Sequence, residues 1–254
     1  MGKFFAETHG RREILYYEAL QSIGVPTLRV VARTDRLLLL EDIEESDTYR
    51  LGMEQDMSDC ATARRIAAWF KRLHARGRSY EGLPSLDPLN HPETELRTRN
   101  ISNAMEKSNT RDNPFWALLF EHIEGIKGAH ARLCDTITYN DFWWDNMAVA
   151  RAGAVARDGA SALMFDYNCM YRGYAYADIR HILSVLTKEA GAAFLEAYGP
   201  YSEEEKAFED LYFPLTGLLS AYQMKEFPAW ANAFADMLHS GELTARLYAF
   251  LKLL

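Results

Sequence analysis

The stretch Tyr139-Asn140-Asp141-Phe142-Trp143-Trp144-Asp145-Asn146-Met147-Ala148-Val149 sets an Asp and an Asn five apart, immediately before a short apolar run. A second apolar run, Ala162-Leu163-Met164-Phe165, ends in Asp166. The Gly-containing segment from Arg151 to Gly159 between the runs reads as a turn. Two strands joined there carry Asn146 and Asp166 to the same end of one hairpin. Phosphoryl transfer to a hydroxyl needs such a set. One carboxylate orients the acceptor and takes its proton, and two oxygen ligands hold Mg²⁺ against the phosphates. Taken alone, an Asp or Asn before a strand is a turn or cap residue. The joint spacing of Asp141, Asn146, Asp166 and Asp178 is what points to a site.

The elements that would position these residues follow from periodicity. Ile14, Tyr17, Leu20 and Ile23 predict a helix over about 11–23, stopped by Gly24-Val25-Pro26. Thr27 to Ala32 and Leu37 to Asp42 read as strands around the polar turn 33–36. Residues 41–46 are acidic and read as a linker. Ala63, Ile66, Ala67, Phe70 and Leu73 form one apolar stripe of a helix over about 61–75. Ser79 to Pro92 reads as loop. Further helices are expected over 94–108, 114–124, 178–190, 203–225 and 230–254, with Ser202-Glu203-Glu204-Glu205 as a capping box. The order is α+β, with a small N-terminal part and a larger, mainly helical remainder.

The catalytic stretch resembles that of the aminoglycoside phosphotransferase and choline kinase-like family, His-x-Asp followed five residues later by Asn, then a hairpin leading to a metal-binding Asp. Gly173-Tyr174-Ala175-Tyr176-Ala177-Asp178-Ile179 resembles the family's Gly-x-x-x-Tyr-Asp-Leu element. The resemblance spans Lys3 to about Leu186 and implies a protein kinase-like two-lobed fold. Residues 1–45 would form a truncated sheet lobe and 46–254 a helical lobe. It implies Asp141 as catalytic base and Asn146 and Asp166 as metal ligands. Asp178 would cap its helix and brace the loop. Lys3 resembles the family's strand lysine, and Glu13 stands where the helix glutamate pairs with it against the phosphates. Glu41, Asp42 and Ile43 resemble the hinge whose backbone binds the base of ATP or GTP. The implied activity is transfer of a terminal phosphoryl group to a small molecule's hydroxyl.

Two departures stand out. Tyr139 replaces the usual His, and can pack in its place while keeping a hydrogen-bonding tip. Only Met1 and Gly2 precede Lys3, where the family has two strands and a phosphate-covering loop. This leaves a three-stranded sheet with an unpaired edge. It also leaves open a mis-assigned start, lost nucleotide affinity or completion by a partner. The alternative function is accordingly a catalytically degenerate kinase-fold protein that binds a ligand or partner. A metal-dependent hydrolase using Asp141, Asp145, Asp166 and His130 or His181 lacks any supporting motif spacing.

Bulk composition narrows the class. The 254 residues carry a formal charge of -8, and no basic run is long, so nucleic acid is not an expected partner. From residue 201 on there are eight Asp or Glu against four Lys or Arg, and the family resemblance implies that a cationic acceptor such as an aminoglycoside or amino alcohol sits against this acidic region. Trp143 and Trp144 could wall such a site. Three scattered cysteines fit a reducing, cytoplasmic compartment. No 18-residue apolar run or signal peptide is visible, so no membrane partner is expected.

Overall fold

A computed structural model describes residues 2–4, 11–80 and 96–253. The chain divides into two compact units. One combines residues 1–84 with 135–200, the other 85–134 with 201–254. The expected loop from Ser79 to Pro92 lies mostly outside the described residues.

The first unit holds all of the described strands. Strand β1 (Gly2–Phe4), helix α1 (Arg11–Ser22) and strands β2 (Val30–Arg33) and β3 (Leu37–Leu40) open it. The small sheet is antiparallel in the order β1-β3-β2, with Lys3 opposite Leu38. Leu38 and Leu40 point inward while Leu37 and Leu39 face out, the alternation of a half-buried strand. On α1, Ile14, Tyr17 and Leu20 are buried as the periodicity required, joined by Glu13 and Tyr16.

Helix α2 (Cys60–Gly77) buries Ala63, Ile66, Ala67, Phe70 and Leu73 along the expected stripe. Its start is set by Asp59, whose carboxylate accepts from the N–H groups of Ala61 at 3.1 Å and Thr62 at 2.9 Å. A second sheet runs β4-β6-β7, from Tyr49–Leu51, Met147–Ala150 and Ala162–Met164. Strand β5 (Thr136–Thr138) pairs with β8 (Tyr171–Gly173). Strands β4, β5 and β8 have three residues each, too short to show a period in the sequence. Helices α5 (Ala175–Val185) and α6 (Lys188–Tyr198) close the unit, and α6 packs along α2. The single helix expected over 178–190 is thus broken at Leu186, where Thr187 caps a new start by accepting from Ala190 N.

The second unit is helical. It comprises α3 (Thr98–Lys107), α4 (Pro114–Leu133), α7 (Glu203–Gln223), α8 (Asn232–Ser240) and α9 (Glu242–Leu251). Phe115, Trp116, Phe208 and Phe250 form its core. Ser202 caps α7 through Glu205 N, and Gly241, at φ 81°, separates α8 from α9 within what reads as one helix. Its acidic surface is partly neutralised internally: Glu204 pairs with Arg132, Asp210 with Lys206 and Glu242 with Arg246.

Candidate active site

The site is built where β5, the β6–β7 hairpin and the start of α5 meet, all within the first unit. The hairpin pairs Met147 with Met164. Phe165 N donates to Asn146 O at 3.1 Å, extending the ladder by one bond. Asn146 and Asp166 therefore leave the hairpin at the same end. The Asn146 amide nitrogen donates to Asp141 Oδ2 at 3.0 Å and to Asp141 O at 3.1 Å. Asp141 and Asp166 are close enough to couple. Burial, then the charge of Asp166, then that of Asp145 raise the Asp141 carboxyl above the ordinary range, against the lowering bond from Asn146. So Asp141, Asn146 and Asp166 come together.

Two residues here adopt left-handed backbone, Asn140 at φ 63° and Asp166 at φ 63°. Such conformations cost non-glycine residues roughly 1–3 kcal/mol and persist only when surroundings impose them. The imposing groups are visible. Asp178 is buried and accepts from Tyr139 N at 2.8 Å with one oxygen and from Asn140 N at 2.8 Å with the other. Its first oxygen also lies 3.0 Å from His74 Nε2, while His74 Nδ1 lies 2.8 Å from the Tyr198 hydroxyl. In a neutral His74 that donates from Nε2 to this carboxylate, the Tyr198 hydroxyl donates to Nδ1. Asp178 does brace the loop. It does not cap α5, whose N-cap is Tyr174, because its carboxylate is turned toward residues 139 and 140.

Tyr139 is fully buried, and its hydroxyl donates to Phe165 O, next to Asp166. It thus ties the loop carrying Asp141 to the strand end carrying Asp166, and burial pushes its pKa well up. Asn168 donates to Asp166 Oδ1. On the other side Gly52 N donates to Met147 O at 2.7 Å, and a Cβ on Gly52 would stand 2.1 Å from Trp144 O. Only glycine admits that approach. Sequence reasoning missed Gly52, and missed Cys169, whose thiol is raised by burial and by Asp141 and Asp166. Neither has a local signal, since each is defined by what a distant segment brings against it.

Lys3 sits in β1, with its side chain outside the described residues. Glu13 is wholly buried on α1. It lies, with Asp166 and Glu41, near the Tyr17 hydroxyl, whose pKa is raised well up by burial and then by Tyr167 and these carboxylates. Tyr17 and Tyr167 rings lie 4.6 Å apart. Glu13, Glu41 and Asp166 are therefore all within electrostatic reach of one buried hydroxyl. After β3, Glu41 N donates to Arg29 O at 2.9 Å, and its carboxylate accepts from Arg29 N at 2.8 Å. Ile43 is buried, and its carbonyl accepts from Ser46 N. Asp42 Oδ1 accepts from Glu44 N. Trp143 is 47% exposed and Trp144 partly so, outside the aromatic core.

The donor set suits Mg²⁺. Hard oxygens of two carboxylates repel each other here, and Asn146 spends its nitrogen on Asp141, leaving its amide oxygen for a cation. Among the described residues no three His, Cys, Asp or Glu side chains cluster as a metal site. An Asn-containing pair is compatible with a small cation that keeps several waters.

The sequence matches no family model and no curated protein. Solved structures do match. An aminoglycoside phosphotransferase from Alicyclobacillus acidocaldarius superposes with a TM-score of 0.55 at 11% identity, over 99% of this chain and 84% of its own. A choline/ethanolamine kinase family protein from Mesorhizobium loti gives 0.55 at 12% identity, over 94% and 83%. This chain has the kinase-like fold of these proteins. Choline kinase LicA from Streptococcus pneumoniae gives 0.52 at 15% identity, over 96% and 85%. At such identities the likeness establishes fold, while the chemistry must be argued from the site.

Proposed function

We propose that this chain is a phosphotransferase that moves the terminal phosphoryl group of ATP or GTP to a hydroxyl of a small, cationic molecule. The observation that carries the reading is the convergence of Asp141, Asn146 and Asp166 at one end of the β6–β7 hairpin. Asp141 accepts the acceptor's hydroxyl proton. Its raised pKa makes it a better base than an exposed carboxylate. The acceptor oxygen forms the new P–O bond as the bond to the β-phosphate oxygen breaks, releasing the nucleoside diphosphate. Asn146 and Asp166 hold Mg²⁺, which when bound neutralises charge on the phosphates. By the family resemblance, Lys3 with Glu13 is assigned to the α and β phosphates, and backbone groups of Glu41, Asp42 and Ile43 to the base. The shared fold makes choline, ethanolamine and aminoglycosides the first acceptors to test.

The test is diphosphate release with Mg·ATP and Mg·GTP across those acceptors. Asp141→Ala is expected to abolish turnover while nucleotide affinity stays within about threefold of the parent. Asp166→Ala is expected to lose Mg²⁺-dependent nucleotide binding. Turnover by Asp141→Ala at the parent rate would remove the assigned base. Nucleotide binding without turnover on any acceptor would favour the ligand-binding alternative.

A further inference from the structure

A cavity of about 210 Å³ lies away from the hydrogen-bonded Asp141–Asn146 cluster, within the same unit. Its walls include Arg64, Arg65, Trp69 and Arg72 of α2, Pro26 and the hairpin segment Gly159 to Ala162. That segment is the turn end of the β6–β7 hairpin. Asn146 and Asp166 leave the opposite end, four residues or roughly 13 Å of strand away at ~3.3 Å per residue.

The chemistry of the walls is one-sided. Arg65 and Arg72 are seven apart, two helical turns, so both project from one stripe with Ala68 and Trp69 between them. Helix α2 carries Arg64, Arg65, Lys71, Arg72 and Arg76 and no Asp or Glu, in a chain whose net charge is -8. The guanidinium groups facing the cavity are poorly satisfied. Among the described residues Arg65 donates to Ala150 O alone and Arg72 to Asp158 O alone, each at 3.3 Å. The nearby Asp59 carboxylate feels the charge of Arg65 but spends itself on Thr62 and the helix start. Arg64 pairs with Glu196, and both side chains are more than half exposed, so that pair is readily exchanged. Each guanidinium fork offers five donors in the geometry that bidentate oxyanion recognition requires. The remaining wall is apolar, from Trp69, Ala68, Ala160, Ala162 and Pro26, with the Ser161 hydroxyl beside it. The Trp69 indole N–H already donates to Pro26 O at 2.8 Å, which holds the ring as a rigid wall.

We propose that this cavity is a binding site for a small phosphomonoester with an apolar body, distinct from the phosphoryl-transfer centre. The two forks of Arg65 and Arg72 take the phosphate oxygens, Arg64 adds charge at the mouth, and Trp69 covers the apolar part. The proposal stands whether or not the chain is a kinase.

Phenyl phosphate, titrated calorimetrically into the whole protein without Mg²⁺, tests it. One site is expected, at least tenfold tighter than for inorganic phosphate. Arg65→Gln/Arg72→Gln is expected to weaken it tenfold or more with the circular dichroism unchanged. Asp166→Ala is expected to bind as the parent does. If the double variant does not fold, Arg72→Gln alone is expected to weaken binding at least threefold. Absence of binding at millimolar phenyl phosphate, affinity indifferent to the arginine changes, or an equal loss in Asp166→Ala would each overturn the proposal.

Discussion

Replacing Asp178 by Asn isolates what holds the catalytic loop. The buried carboxylate receives Tyr139 N, Asn140 N and His74 Nε2 at 2.8, 2.8 and 3.0 Å. An amide has one accepting oxygen and one donating nitrogen. Whichever way it sits, one main-chain N–H meets another donor. A stranded buried N–H costs about 1–3 kcal/mol, and the surviving bonds lose their charge assistance. His74 can adapt by moving its proton to Nδ1, with Tyr198 then accepting. Removing a buried charge also relieves some desolvation. The net is a loss of about 3 kcal/mol, or roughly 6–12 °C in Tm at ~2–4 °C per kcal/mol for a chain of this size. The left-handed turn at Asn140, next to Asp141, loses its anchor, and a displacement near 1 Å costs on the order of 10²-fold in kcat. Calorimetry and single-turnover kinetics check this, with nucleotide Kd expected within about threefold. A Tm within 2 °C of the parent, together with unchanged kcat, would refute the bracing role.

Other expectations follow from the same geometry. The raised pKa of Asp141 means that the folded state holds its proton more tightly than the unfolded chain does. Its contribution to stability therefore falls as pH rises from the ordinary carboxylate value through the folded pKa. Asp141→Asn should accordingly be more stable than the parent at neutral pH, with the gap closing below that window in pH-dependent melts without Mg²⁺. Asp145→Asn removes one of the charges raising Asp141, so the acid limb of the kcat/KM profile should move to lower pH, less so at high salt. Gly52→Ala forces a Cβ against the Trp144 carbonyl beside Asn146. It should cost about 1–3 kcal/mol and depress Mg²⁺-dependent activity well beyond that loss of stability, read from melts and Mg²⁺ titrations.

The sequence by itself determined the parts whose signal is local. The spacing of Asp141, Asn146 and Asp166 followed from one hairpin with a glycine turn. The apolar stripe of α2 and the Ser202 cap followed from helical period and capping chemistry, which act over three or four residues. Tertiary structure decided the rest. Tyr49 to Leu51 becomes a strand only because Val149 and its neighbours lie across from it. Asp178 looks like a helix cap until its helix is docked beneath the catalytic loop, some 39 residues back in the chain, where buried main-chain N–H groups need its two oxygens. The cation-rich face of α2 reads as an ordinary solvated helix surface. Only folding the hairpin turn over it makes a cavity, because burial and pairing are set by distant segments whose meeting no local pattern encodes.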